Sequence, residues 1–348
     1  MLNGEHPLVT AAESLVGDLA ASAGRVEAEG VERATLDRLA EAGLYGIQGP
    51  EWAGGSDAPG ATYRRVAELL AGADANTWLV WFQHGPVVRM VAASENTELQ
   101  RLLPDLCAGR ARAGVAFSHL RSSSPSITAK DDGDGWRLTG RQPWCTGWGL
   151  IDHVLVGAVT DDDQVMLALV PAVAGEAMRP TDELRLSAMN GTHTVALEVD
   201  GLEVQPADVA VLAPRADWIA GDAMRATNVQ PSAVGIALAA LGVLADRAPE
   251  PAAALGAELE ELRSRAYELS DIPPTADDVE ERLRLTAQLL RLGVEITSTL
   301  VVSLGGSAMA TSQPAQRWAR EATFHLVFAQ TADLRRAALA TATRPSPG

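Results

Sequence analysis

The spacing of apolar residues divides this chain into three blocks. In residues 1–112 the apolar positions recur every three to four residues, which predicts an N-terminal helical domain. Residues 113–217 instead carry short runs of alternating apolar and polar positions between turn-forming residues, and this predicts a small central β-domain. Helical spacing returns in residues 218–348 and predicts a C-terminal helical bundle.

The individual elements follow from the same periodicities. The helical stripes of the first block are Leu36, Leu39 and Leu44 beside Gly43, then Tyr63, Val66, Leu69 and Leu70, then the apolar segment 76–93. The predicted strands are Val154–Val159, Val165–Val170 and Thr194–Val199. The predicted helices of the last block are Val234–Leu244, ended by Pro249 and Pro251, then Ala252–Leu269 and Val279–Leu304, with an exposed break at Asp271–Asp278 and a disordered tail after Thr343.

The stretch 132–148, DGDGWRLTGRQPWCTGW, is the most informative part of the sequence. Alternation runs into Gly140, and a second strand then ends around Trp144, Cys145 and Thr146, which predicts a β-hairpin. At a period of two residues, Trp144 and Thr146 fall on one face. That face would offer a flavin ring an aromatic surface and a hydrogen-bond donor. The alternative is a hairpin tryptophan packed in the core.

This stretch resembles the flavin-contacting hairpin of the acyl-CoA dehydrogenase family. Three further stretches resemble motifs of that family in the same order: Gly46, Ile47, Pro50, Glu51, Trp52, Gly54 and Gly55; Ala116, Phe117 and Ser118; and Gly305, Gly306, Pro314, Gln316, Arg317 and Arg320. The resemblance implies an α+β fold with an N-terminal helical domain, a central β-barrel domain and a C-terminal four-helix bundle. It also implies FAD between the β-domain and the C-terminal helices, in a homodimer or homotetramer.

The resemblance assigns cofactor contacts to specific positions. Ser118 corresponds to a cofactor-contacting threonine of the family, and His119 takes its place if the alignment slips by one residue. Gly305 and Gly306, at the start of the last stretch, would let the backbone approach closely either the cofactor's diphosphate or a neighbouring helix. The residues implied to bind cofactor are Ser118, His119, Trp144, Cys145, Thr146, Gly305 and Gly306.

The departures from the family pattern concern both catalysis and cofactor binding. Ala329 stands where most members carry the glutamate that acts as base, and the stretch 224–230, where some members place it, has no acid. Val302 replaces a glutamine before the glycine pair. The family's R-x-x-F-G turn, whose arginine reaches the diphosphate across a subunit interface, is missing from residues 246–256.

His325 is the candidate catalytic residue. It lies four residues before Ala329, one helical turn away, and a histidine there could act as a general base near neutral pH. The alternative is a packed histidine on a C-terminal helix. Arg317 and Arg320 lie three residues apart and share a helical face, so they hold acidic partners in the fold or steer an anionic ligand. We expect the first role for the arginines, and a structural ion pair for Glu321.

Composition narrows the remaining classes of function. The formal net charge of −17 disfavours nucleic-acid binding. No apolar run reaches the roughly 18 residues of a membrane span, and the N-terminus lacks the order of a signal peptide. Cys107 and Cys145 alone form no disulfide framework, which favours a reducing cytoplasm. The six histidines show no ligand spacing, so we expect no metal site.

Three hypotheses about function follow. The first is a flavin-dependent oxidoreductase acting on the CH–CH bond of an acyl thioester, with His325 or a partner subunit supplying the base. The second is a flavin monooxygenase on the same fold, which needs open space rather than a carboxylate. The third is a flavin-free or non-catalytic member, used as a partner subunit or recruited to another reaction.

Overall fold

The computed structural model describes residues 6–342, and its first block is helical as predicted. The three leucines Leu36, Leu39 and Leu44 are fully buried, which confirms the first stripe. The apolar segment 76–93 is two helices, because the chain breaks at Gln83. The helices are α1 (Pro7–Glu29), α2 (Arg33–Glu41), α3 (Gly60–Ala73), α4 (Ala75–Phe82), α5 (His84–Ala93), α6 (Thr97–Gln100) and α7 (Leu103–Cys107).

The central block forms one continuous sheet within the described residues. Its strands are β1 (Ala113–Ala116), β2 (Ile127–Asp131), β3 (Trp136–Cys145), β4 (His153–Thr160), β5 (Gln164–Pro171), β6 (Met178–Pro180), β7 (Val195–Val204) and β8 (Val209–Pro214). They lie in the order β6-β7-β3-β2-β4-β5-β8, with β1 beside β4. Strand β3 pairs with β2 on one side and β7 on the other, so its far end is firmly positioned.

The predicted hairpin is shifted along the chain. Residues 136–145 form the single strand β3, whose hairpin partner is the upstream strand β2, and the turn lies at residues 132–135. Gly140 does not end a strand. Its φ of 145° and the 1.8 Å that would separate an added Cβ from the Ser126 carbonyl oxygen show that glycine allows a close backbone approach inside the strand.

The last block is helical, with α8 (Arg215–Arg225), α9 (Pro231–Ala245), α10 (Pro249–Ser270), α11 (Val279–Leu304), α12 (Pro314–His325) and α13 (Ala332–Ala342). The α11 bounds are as predicted. Pro249 and Pro251, however, begin α10 instead of only ending α9, because proline fits the first turn of a helix, where its missing N–H is not needed. The predicted disordered tail after Thr343 lies outside the described residues.

Helices α3 and α9 bring the N-terminal and C-terminal blocks into direct contact. An added Cβ at Gly235 would lie 2.2 Å from the Glu68 carbonyl oxygen, so the two backbones pack with no room for a side chain. The order of helices, sheet and helices therefore matches the predicted α+β fold. The domain bounds at 112/113 and 217/218 stay predictions.

Helix α11 is apolar beyond the face that it buries. By length and composition alone the segment Val279–Met309 could cross a membrane, although 39% of its most apolar window is buried inside this fold. A central bundle helix meets the same criterion, and α11 packs against α9, α10, α12 and α13. We therefore interpret it as a bundle helix.

Candidate functional site

The end of strand β3 brings two of the predicted cofactor residues together. Gln142 is buried, and its Nε2 donates one hydrogen bond to the Trp144 carbonyl oxygen at 2.7 Å and one to the Ser118 hydroxyl oxygen at 3.0 Å. Ser118 is exposed and Trp144 is 50% exposed. The main chain of Trp144 and the hydroxyl of Ser118, 26 positions apart in sequence, thus share one buried amide partner, and both residues reach the surface.

Thr146 does not share that surface. Strand β3 ends at Cys145, so alternation no longer fixes the direction of the next side chain. Thr146 is only 8% exposed, and its Oγ1 lies 2.9 Å from Thr194 Oγ1, which in turn lies 2.8 Å from Thr192 Oγ1. Its hydroxyl is therefore engaged inside the fold, and the predicted common face with Trp144 is wrong.

Cys145 and His119 are also turned into the protein. Cys145 is fully buried, and burial raises the pKa of its thiol to about 12. His119 donates from Nε2 to the Gly157 carbonyl oxygen at 2.9 Å and accepts from the Ser126 backbone N–H at Nδ1, and burial lowers its pKa. Both side chains pack the β-domain, and the cofactor contacts that the resemblance implied for these two residues stay predictions.

His325 lies at the end of α12 with both ring nitrogens in use. Its Nδ1 donates to the Glu321 carbonyl oxygen at 2.8 Å, and its Nε2 accepts from the Ser232 hydroxyl at 2.8 Å. Burial lowers its pKa to about 4, so the ring is neutral at pH 7. This geometry matches the packed-histidine alternative, whereas a general base needs a free nitrogen directed at the substrate.

Ala329 lies in the turn that follows α12, with a left-handed φ of 52°. The side chains around this turn are aromatic: Phe328 stacks on Phe324 at 5.1 Å between ring centroids and lies 5.6 Å from Phe82 and 5.8 Å from Trp78. The position at which the family carries its carboxylate is therefore beside an apolar aromatic cluster, which would penalise a charge.

Helix α4 contacts both the segment that follows strand β3 and the turn that contains Ala329. At one side of this helix, an added Cβ at Gly147 would lie 3.3 Å from Val80 Cγ1. At the other, Phe82 contacts Phe328. Because α4 has eight residues, about 12 Å long at 1.5 Å per residue, the indole surface and the Ala329 turn lie on either side of one short helix.

Two small hollows lie among the described residues, and neither could hold a flavin. One hollow has a volume of about 10 Å³, and the other has no room for a water molecule. The first is lined by Tyr63, Trp81, Phe82 and Gln48 among others. Pockets for ligands of drug size measure about 300–1,000 Å³.

The glycine pair after α11 is open, as a diphosphate contact requires. Gly305 has φ 63° and ψ −148°, a conformation suited to glycine, and an added Cβ at Gly305 or Gly306 would meet no atom within 4 Å. Nearby, Arg317 and Arg320 contact carboxyl groups of the fold, as predicted. Arg317 donates to Glu321 at 3.0 Å, and Arg320 binds both carboxylate oxygens of Glu27.

Sequence reasoning missed Gln142, Thr194 and Ser232. Gln142 occupies a buried position of β3, a strand whose other buried side chains are apolar. A buried amide must find partners, so a glutamine at an inward strand position signals a hydrogen-bonded tie. Ser232 and Thr194 gave no such signal, because their partners come from distant segments of the chain.

Comparisons with known proteins agree with this architecture. The family profile described as acyl-CoA dehydrogenase, N-terminal domain, matches residues 8–110. Probable acyl-CoA dehydrogenase FadE25 of Mycobacterium leprae is 25% identical over 341 residues, which cover 88% of this chain and 86% of the relative.

Two solved structures illustrate the range of proteins with this fold. Glutaryl-CoA dehydrogenase from Mycobacterium smegmatis, in complex with FADH2, has a TM-score of 0.81 at 16% identity and covers 100% of this chain and 96% of its own. Dibenzothiophene monooxygenase (TdsC) from Paenibacillus sp. A11-2 has a TM-score of 0.78 at 20% identity and covers 98% of both chains; TdsC has also been solved with FMN bound.

At these sequence identities the solved structures establish the fold alone. The evidence for a relationship to the family is the match to its N-terminal domain model and the similarity to the mycobacterial relative. These two matches support membership of this chain in the acyl-CoA dehydrogenase family.

Proposed function

We propose that this protein is a flavin-dependent oxidoreductase of acyl-CoA dehydrogenase type, with FAD lying on the surface beside Trp144. The observation that supports this is the tie made by Gln142, which joins the main chain of Trp144, a residue with a half-exposed indole, to the hydroxyl of the exposed Ser118. An indole face suits the ring of a flavin, and a hydroxyl suits its polar edge.

The residues fit the ring half of the cofactor better than its diphosphate half. Gly305 and Gly306 leave the backbone accessible, but the family's arginine-bearing turn is absent from residues 246–256. We therefore propose that a second chain, either another copy or a related subunit, closes the site. The exposed apolar side chains Val302 and Met309 beside the glycine pair suit such a contact.

In this proposal the substrate is an acyl thioester, and the reaction oxidises its CH–CH bond. Bound FAD supplies the hydride acceptor. Trp144 and Ser118 orient the ring, and the second chain that closes the site excludes water. Neither Ala329 nor the internally bonded His325 offers a base, so the partner subunit supplies it.

A second candidate is a flavin monooxygenase. The apolar, acid-free turn at Ala329 favours it, because oxygen transfer from a reduced flavin needs a dry space instead of a carboxylate. The likeness to dibenzothiophene monooxygenase supports this candidate at the level of fold. For either activity we propose a cytoplasmic location, since both cysteines, Cys107 and Cys145, are free thiols.

Matched tryptophan variants test the flavin site. Trp144 and Trp52 are both exposed, at 50% and 66%, but only Trp144 lies beside Ser118. Trp144→Ala should lose bound flavin while Trp52→Ala retains it, as read from the visible absorption of the purified proteins. Equal flavin content in both variants, or a colourless wild type that refuses added FAD, would reject the proposal.

Turnover assays separate the two activities. For the dehydrogenase, an acyl-CoA added without oxygen should bleach the flavin of the complete assembly. For the monooxygenase, the flavin should bleach only with an external reductant, and oxygen should then appear in the product. Bleaching by acyl-CoA alone would exclude the second candidate.

A further inference from the structure

A buried group of charges, here called the carboxyl junction, joins three parts of the fold. It consists of Glu27 on α1, Asp74 at the start of α4, and Arg317, Arg320 and Glu321 on α12. Asp74 and Glu321 are fully buried, and Arg317 is nearly so. Arg320 binds Glu27 and also donates to the Ser187 carbonyl oxygen at 2.6 Å, so a loop of the central block is attached as well.

The charges of the carboxyl junction do not balance. Three carboxyl groups face two guanidinium groups, which leaves one uncompensated negative charge if every group is ionised. An isolated charge inside a protein is costly, so one carboxyl group is expected to hold a proton.

The hydrogen bonds indicate which carboxyl group holds it. Asp74 accepts from the Asn76 and Thr77 backbone N–H groups at 3.2 and 3.3 Å and from the Thr77 hydroxyl at 2.6 Å. Burial raises the pKa of Asp74, and these donors, at a helix N-terminus, oppose that rise because they stabilise the anion. Glu27 has both oxygens on Arg320. Glu321 has one oxygen on Arg317 at 3.0 Å, and its Oε2 is buried without a partner.

The surroundings of Glu321 offer no further compensation. The pKa of Glu321 is raised to about 7, mainly by burial; Arg317 opposes this rise, and the nearby Asp74 and Glu27 add to it. His325, whose Nδ1 donates to the Glu321 carbonyl oxygen, is neutral. Helix α9 contains no ionisable side chain, and neither Arg291 nor Glu295 of the adjacent α11 bonds to Glu321 among the described contacts.

We propose that the carboxyl junction is a proton-dependent latch, which is closed while Glu321 carries a proton and loosens when that proton leaves. Loss of the proton places a second buried anion beside Asp74 with no donor for Oε2. The contacts that then weaken are those between α12, the start of α4 and the loop at residues 187–191.

A short chain of hydrogen bonds connects this latch to the end of strand β3. The Asn76 backbone N–H donates to Asp74, and Asn76 Oδ1 accepts from the Gly191 N–H at 3.0 Å. The Thr192 carbonyl oxygen then accepts from the Gly147 N–H at 2.9 Å. Loosening the latch therefore reaches the segment that follows Trp144.

Hydrogen exchange tests this proposal on the full-length protein without any cofactor. Amide exchange in residues 144–148 and 187–194, corrected for intrinsic rates, is compared between wild type and Glu321→Gln from about pH 5.5 to about pH 8. If opening returns Glu321 to its ordinary pKa of 4.5, the ratio of wild-type to variant rates should rise roughly 30-fold across this range.

The exposed, unbonded Glu261 provides the control, since Glu261→Gln should keep the wild-type pH dependence. A carbon-13 titration of the wild-type glutamate carboxyls should also show one group ionising near neutrality, and Glu321→Gln should remove that signal. The proposal is overturned if no glutamate titrates there, or if Glu321→Gln shows the wild-type rise in exchange.

Discussion

Replacing Gln142 with methionine should weaken flavin binding while leaving stability almost unchanged. The variant loses two hydrogen bonds, to the Trp144 carbonyl oxygen and the Ser118 hydroxyl, worth about 1 kcal/mol each. It also removes the Gln142 Oε1 atom, which is buried without a partner and costs about 1–3 kcal/mol. Because these contributions oppose each other, the free energy of unfolding should change by no more than about 1 kcal/mol.

Flavin binding should respond differently, because the tie orients both contact groups. Without it, the Ser118 side chain and the main chain at Trp144 both regain conformational freedom, which costs roughly 1–3 kcal/mol in total on binding. The FAD dissociation constant should therefore rise by about 5- to 100-fold, as measured by titrating apoprotein with FAD and following flavin fluorescence. Gln313→Met is the matched control, since Gln313 is exposed and its side chain caps no helix.

Two outcomes would refute this reasoning. If Gln142→Met binds FAD as tightly as wild type at unaltered stability, the tie does not position the flavin. If Gln313→Met weakens binding to the same extent, the effect of methionine at position 142 is not specific to the site.

Three further predictions concern stability. Burial raises the folded pKa of Glu321 from 4.5 to about 7, so the stability that its protonated form contributes is complete below pH 4.5 and is lost as pH rises toward 7. In urea unfolding, the free energy of unfolding of Glu321→Gln should therefore gain about 3 kcal/mol relative to wild type between acidic pH and pH 8. Parallel curves of stability against pH for the two proteins would count against this prediction. Burial lowers the pKa values of His84 and His325 to about 4, so the stability that the neutral rings contribute is complete above about pH 6.5 and is lost as pH falls toward 4. Replacing His325 with Gln should therefore reduce the loss of stability at acidic pH. An unchanged loss at acidic pH would contradict the burial argument. Gly235→Ala should destabilise the fold by about 2 kcal/mol or more in the same assay, because its Cβ would collide with the Glu68 backbone. Gly242→Ala is the control: no atom lies within 4 Å of an added Cβ there, so this variant should be more stable than wild type by about 0.5–1 kcal/mol. Equal effects of the two variants would show that α3 and α9 do not pack so closely.

Local periodicity was sufficient to predict the helices and the order of the three blocks. Helix α11 begins and ends where its apolar spacing does, and Leu36 and Leu39 are buried as their stripe requires. The hairpin was misplaced because Gly140 resembles a turn residue in sequence, whereas in the fold it serves a close contact with Ser126 that depends on strand pairing.

The candidate site was predictable only in part, because side-chain direction depends on tertiary contacts. The resemblance implied that Ser118 and Trp144 both contact the cofactor, and the structure holds them together. Thr146 was assigned to the same face by strand alternation, but the strand ends one residue earlier. The occupied nitrogens of His325 could not be foreseen, since its partner Ser232 comes from another helix.

The most direct measurement is a crystal structure of the protein in its native assembly with FAD added. The account predicts electron density for the ring system in contact with the Trp144 indole, with Ser118 at its polar edge and a neighbouring chain over its outer side. Density for the ring elsewhere, or a second chain packed flat against Trp144 with no space between them, would contradict it.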